Sequence, residues 1–212
     1  MAELTFSHRF VPGERPGARP LLLLHGTGGD ENDLLRLGQM VAPGAPLLSP
    51  RGKVLEHGMP RFFRRLAEGV FDEDDVRARA HELADFVAAA RAHYRLAAPV
   101  ALGYSNGANI AAAVMLLRPE TLAGAILLRA MVPLANADAK EGLAGKPVLI
   151  VSGERDPIAA PANAARLEAM LERAGAQVDH HVLAGGHELS QADVALASRW
   201  LEANAPALSA VA

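Results

Sequence analysis

The 212 residues are 50% hydrophobic and 21% charged, the length and balance of one soluble globular domain with a sizeable core. A count of 21 basic against 24 acidic residues implies neither a nucleic-acid nor an anionic-membrane partner, and the absence of cysteine excludes disulfides, thiolate metal sites and a cysteine nucleophile. The N-terminus lacks a basic segment followed by an apolar run, and apolar stretches such as Ile110–Leu117 are too short to span a bilayer, so the expectation is a cytoplasmic protein.

In chain order, Leu4–Val11 reads as an opening edge strand that Pro12 and Gly13 end. Pro20–Leu24 is a continuous apolar run of the kind buried parallel strands show, and His25-Gly26-Thr27-Gly28-Gly29-Asp30 follows it directly. A helix is expected from about Asn32 to Val41, then a short strand over Pro46–Ser49. Between Lys53 and Phe71 no period fits, although Phe62, Phe63 and Phe71 all lie there. Asp72 has the chemistry of a helix N-cap, with Glu73, Asp74 and Asp75 in the first turn where they complement the helix dipole. Val76, Ala80, Leu83, Val87, Ala90 and Tyr94 recur at spacings of three and four, the signature of a long amphipathic helix.

The apolar run from Pro99 to Tyr104 reads as a strand, and the small residues after Ser105 as a helix. Strands are expected over Leu122–Leu128, Lys146–Val151 and Gln177–Leu183, a helix from about Pro161 to Ala174, and a loop with a helical turn over Ala135–Leu143. Ser190 and Asp193 resemble a capping box, which starts the last helix near Ser190 and leaves His187 in a loop; the tail Asn204–Ala212 is expected to fray. Strands alternating with helices predict an α/β fold with a mostly parallel sheet and helices on both faces.

Four strand-end loops carry the chemistry. Gly103-Tyr104-Ser105-Asn106-Gly107 is a G-x-S-x-G nucleophile elbow, a strained strand-to-helix turn that exposes its serine oxygen. A serine hydroxyl needs a base, and histidine, titrating near neutrality, serves when a carboxylate holds its other ring nitrogen. Asp156, with Glu154 as a substitute acid, and His187 follow in the order Ser, Asp, His. Backbone N–H groups of Asn106 and, from the early loop, Thr27 are the candidate oxyanion donors. His25 precedes this order and reads as structural, and His180 and His181, in one strand, would point to opposite faces, a poor metal geometry. Neither a metal site nor a cofactor is expected: the Gly-rich loop lacks the Lys-Ser/Thr of a P-loop. Met59, Phe62, Phe63 and Met131 are candidate substrate contacts, the 53–71 segment being either a pocket wall or a packed flap; Arg61, Arg64 and Arg65 are either an anion-steering cluster or a solvated one.

LLLLHGTGGDENDL, GYSNGANIA, SGERDPI and AGGHEL, in this order, resemble the phospholipase/carboxylesterase family of small α/β-hydrolases, kin to acyl-protein thioesterases, and RGKVLEHGMPRFFRR is similar to its bacterial esterases. The resemblance implies a compact α/β-hydrolase fold with little or no cap domain, hydrolysis of short-to-medium acyl esters and often a homodimer. It assigns Ser105 as nucleophile, Asp156 as acid, His187 as base, and Thr27 and Asn106 as oxyanion donors. Many relatives carry glutamine where this chain has Asn106. Thioesterase or lysophospholipase activity would use the same machinery, and a non-catalytic small-molecule-binding role on the same fold is the alternative from another class.

Overall fold

A computed structural model describes residues 4–135 and 142–210. In chain order the elements are strands β1 (His8–Val11) and β2 (Leu21–Leu24), helix α1 (Leu35–Val41), strands β3 (Leu47–Pro50), β4 (Val54–Glu56), β5 (Met59–Arg61), β6 (Arg65–Ala67) and β7 (Val70–Phe71), and helix α2 (Glu73–Tyr94). Strand β8 (Val100–Tyr104), helix α3 (Asn106–Leu117), strands β9 (Gly124–Leu128) and β10 (Pro147–Gly153), helix α4 (Pro161–Arg173), strand β11 (Gln177–Leu183) and helices α5 (Gln191–Ala203) and α6 (Ala205–Ala210) complete it. Seven strands form the main sheet in the order β1-β3-β2-β8-β9-β10-β11. Only β1 runs antiparallel to its neighbour.

Both sheet faces are covered, which is why the central strands read as unbroken apolar runs rather than alternating ones. Leu22, Leu24, Ala101, Leu127 and Ile150 point to one face, against Val76, Val87, Ile110 and Leu167 of α2, α3 and α4. Leu21, Leu23, Leu102, Ile126 and Val151 point to the other, against Val41, Ala197, Trp200 and Leu208 of α1, α5 and α6. This two-sided core is the α/β-hydrolase arrangement. From β2 the chain passes to β3 on one side and then back to β8 on the other, so the strand order reverses between β2 and β8. In open α/β sheets the crevice for a ligand lies beyond the carboxyl ends at such a reversal.

Several local expectations shift. Helix α1 starts at Leu35 rather than Asn32, because Asp30 Oδ1 accepts the Asn32 backbone N–H (2.8 Å) and holds residues 30–32 in a side-chain-closed turn. The stretch without a period is two β-hairpins, β4–β5 and β6–β7, whose two- and three-residue strands are too short to show one. His57 and Gly58, at φ 51° and 81°, give β4–β5 the doubly positive turn favoured between twisted strands. The tail does not fray as far as residue 210: it forms α6, which buries Leu208. Most of the loop expected over Ala135–Leu143 lies outside the described residues. Asp72 does cap α2, its carboxylate accepting the Asp75 N–H, and Asp193 accepts from the backbone N–H of Ser190 ahead of α5.

Candidate active site

Ser105 sits between β8 and α3 with φ 52° and ψ −113°, a backbone conformation that costs a non-glycine residue energy and that the surrounding packing must enforce. The packing allows no alternative at the next turn. A Cβ on Gly107 would stand 1.9 Å from the Leu24 carbonyl oxygen, so only glycine lets α3 begin this close to the end of β2. The Ser105 hydroxyl is thereby presented at the crevice, where Oγ–H donates to His187 Nε2 at 2.9 Å. His187 Nδ1–H donates to Asp156 Oδ2 at 2.8 Å.

Asp156 and His187 lie on neighbouring loops because β10 and β11 pair in parallel with Gly153 opposite Leu183. A Cβ on Gly153 would stand 2.1 Å from the Gly186 carbonyl oxygen, so the loops meet only because this residue has none. The Asp156 side chain is fully enclosed, and its second oxygen, Oδ1, accepts the backbone N–H groups of Ile158 (2.8 Å) and Ala159 (2.9 Å). Those bonds hold the carboxylate as an acceptor aimed at the imidazole. Glu154, the substitute acid, is exposed and makes no hydrogen bond or ion pair with His187.

The His187 loop is clamped from below by a residue the sequence reading missed. Arg129, at the end of β9 with φ 57°, is buried and donates to the carbonyl oxygens of Gly186 (2.9 Å) and Glu188 (3.0 Å), on either side of His187. It also forms a two-pronged ion pair with buried Asp193 at 2.7 and 3.2 Å. Tyr104 adds a bond from its hydroxyl to the His187 carbonyl oxygen at 3.1 Å. Burial pushes that phenol's pKa above its ordinary value, which keeps it a donor.

Thr27 and Asn106 face the crevice from β2 and α3, and neither backbone N–H is engaged by another described residue. Gly28, next to Thr27, takes the left-handed conformation at φ 85° and donates its N–H to the Pro60 carbonyl oxygen at 2.9 Å. His25 is buried beneath this loop. Its Nε2 accepts the Gly52 N–H (3.0 Å), which leaves the proton on Nδ1 for the Gly26 carbonyl oxygen (2.7 Å). Desolvation lowers its pKa below that of a free histidine, so both bonds hold the neutral ring.

The hairpins revise the expectations for residues 59–65. Phe62 and Phe63 are 3% and 0% exposed; Phe62 packs on the His25 ring and Phe63 on Phe71, so both belong to the core rather than to an open pocket wall. Met59 remains 41% exposed beside Gly28, and Met131, nearly buried, donates its N–H to Asn109 Oδ1. Arg61, Arg64 and Arg65 are all ion-paired, with Glu56, with Asp72, and with Glu56 again. None is a free steering charge.

A second Ser–His–carboxylate chain exists elsewhere: Ser152 Oγ lies 2.9 Å from His180 Nε2, and His180 Nδ1 lies 2.8 Å from Glu168 Oε2. Ser152 is mid-strand in β10 and buried. This chain of bonds ties α4 to β10 and β11. Among the described residues no group of three or more His, Asp or Glu side chains is arranged to hold a metal ion, and no helix is long and apolar enough to cross a membrane.

Known proteins with this architecture are close in sequence as well as shape. The carboxylesterase of Bacillus cereus superposes with a TM-score of 0.90 at 46% identity, over 94% of each chain. A carboxylesterase from Mesorhizobium loti does so with a TM-score of 0.89 at 33% identity, over 95% of this chain and 97% of its own. MhqD of Bacillus subtilis (strain 168), whose name carries only the general description hydrolase, is 47% identical over 182 residues, 85% of this chain and 90% of its own. The profile of the phospholipase/carboxylesterase family matches residues 7–205, and the chain therefore belongs to that family of α/β-fold serine hydrolases.

Proposed function

We propose that the chain is a single-domain serine carboxylesterase that cleaves short-to-medium acyl esters through Ser105, His187 and Asp156. The observation that carries this reading is the unbroken hydrogen-bond chain from Ser105 Oγ through both ring nitrogens of His187 to an enclosed carboxylate. Ser105 Oγ attacks the ester carbonyl carbon while His187 Nε2 takes its proton, and Asp156 stabilises the imidazolium that forms. The carbonyl oxygen becomes an oxyanion held by the backbone N–H groups of Thr27 and Asn106. His187 returns the proton to the departing alcohol, leaving an acyl group on Ser105. Water, deprotonated by the same histidine, then releases the acid. The substrate is a small-molecule ester reaching the crevice beside Met59 and Met131, and the working compartment is the cytoplasm.

Ser105→Ala tests this directly. It should abolish hydrolysis of p-nitrophenyl acyl esters and labelling by a fluorophosphonate, with the urea midpoint unchanged. Retained turnover in the folded variant would remove the mechanism.

A further inference from the structure

We propose that residues 60–62 brace the oxyanion hole from the β4–β5 hairpin, with Arg61 as its positioning residue; this rests on the reading of Thr27 and Asn106 as oxyanion donors. Three consecutive residues reach the two loops that carry those donors. The Pro60 carbonyl oxygen accepts the Gly28 N–H at 2.9 Å, fixing the peptide unit that follows Thr27. Arg61 Nη1 donates to Thr27 Oγ1 at 3.0 Å. The Phe62 N–H donates to Asn106 Oδ1 at 2.8 Å. Among the described residues this last bond is the only one on the Asn106 carboxamide, whose Nδ2 is buried without a partner.

The brace is itself fixed. Arg61 is 3% exposed, its Nε donates to the Phe63 carbonyl oxygen, and its Nη1 also donates to Glu56 Oε2 at 2.9 Å. Glu56 Oε1 accepts from Arg65 at 2.9 Å, so one carboxylate joins both hairpins. Phe62 and Phe63, which follow Arg61 directly, are buried in the core and anchor the strand end. The serine, acid and base come from the loops after β8, β10 and β11. The hairpin contributes no group that touches the reacting atoms. It sets where the donors stand.

The test compares wild type, Arg61→Met, Arg61→Lys, Thr27→Val and Arg61→Met/Thr27→Val. Each is assayed for kcat and KM on p-nitrophenyl acetate, for inhibition by phenylboronic acid, which forms a tetrahedral adduct on a nucleophilic serine, and for thermal unfolding. Losing a whole oxyanion donor costs about 100- to 1000-fold in kcat. Displacing one should therefore cost about 10- to 100-fold in Arg61→Met. KM should change by less than about 3-fold, and the phenylboronic acid Ki should rise by a factor matching the fall in kcat/KM, as for any loss confined to the transition state. Arg61→Lys should recover part of the rate. The double variant should lose no more than Arg61→Met alone, because both changes break the same bond.

A folded Arg61→Met enzyme with wild-type kcat overturns the inference, as does a loss that multiplies with that of Thr27→Val. If Arg61→Met does not fold, Thr27→Val decides, because Thr27 is exposed: an unchanged kcat there refutes the brace. An active Ser105→Ala enzyme would instead sink the esterase mechanism. With Ser105→Ala dead and Arg61→Met normal, the brace alone falls.

Discussion

Replacing Arg129 by methionine should unfold this protein at a markedly lower temperature, and adding Asp193→Asn should restore much of the loss. Arg129 and Asp193 are 2% and 1% exposed, joined at 2.7 and 3.2 Å, with the same guanidinium holding the Gly186 and Glu188 carbonyl oxygens. Removing one partner of a buried pair strands the other charge without water, which costs about 3–5 kcal/mol. In a chain of this size each kcal/mol moves the midpoint by about 2–4 °C, so Arg129→Met should melt about 6–20 °C lower. Asparagine at 193 removes the stranded charge while keeping an oxygen for the Ser190 N–H, which Asp193 Oδ2 accepts at 2.8 Å. The double variant should therefore be more stable than Arg129→Met alone. Trp200, the only tryptophan, lies in α5 with Asp193 and donates to Asp179 Oδ2, so its fluorescence in urea reports this region as it opens. A loss below about 1 kcal/mol in Arg129→Met would refute the clamp, since buried pairs cost several times that to break. So would a double variant as unstable as the two single changes added together.

His25 predicts the acid limb of stability. Its pKa is lowered in the folded chain, mainly by desolvation, against about 6.5 when unfolded. Below about pH 6.5 the unfolded chain binds a proton that the folded one refuses, so stability falls as the pH drops further, by at most about 1.4 kcal/mol per pH unit for this one group. Urea midpoints measured from about pH 5 to pH 8 should show the fall, and His25→Gln should flatten it; an identical slope in that variant contradicts the assignment. Ser152→Ala should cost about 1 kcal/mol of stability while leaving kcat and fluorophosphonate labelling unchanged. Labelling that survives Ser105→Ala but disappears on adding Ser152→Ala would make the His180 chain reactive after all.

What could be read from the residue order was whatever rests on local chemistry. The apolar strands, the Asp72 cap, the Ser190–Asp193 pairing and the glycines on either side of Ser105 each announce themselves within a few residues. The clamp did not, because Arg129 and Asp193 are 64 positions apart and an arginine after a strand has nothing local to mark its burial. The hairpins were hidden for a different reason. Strands of two and three residues carry no measurable period, and a Phe-Phe pair suits a pocket wall as well as a core until its neighbours are known. Arg61 is obscure for the same cause: three arginines in five residues look solvated, and the fold brings Glu56 against two of them.

Strand β11 forms one rim of the sheet, and His187 hangs just beyond it, whereas Ser105 rises from β8 near the middle. A disturbance that peels this rim would part His187 from Ser105 while the surroundings of Ser105 stayed intact. The seven residue pairs that join β11 to β10 therefore keep His187 within reach of Ser105 as well as closing the sheet.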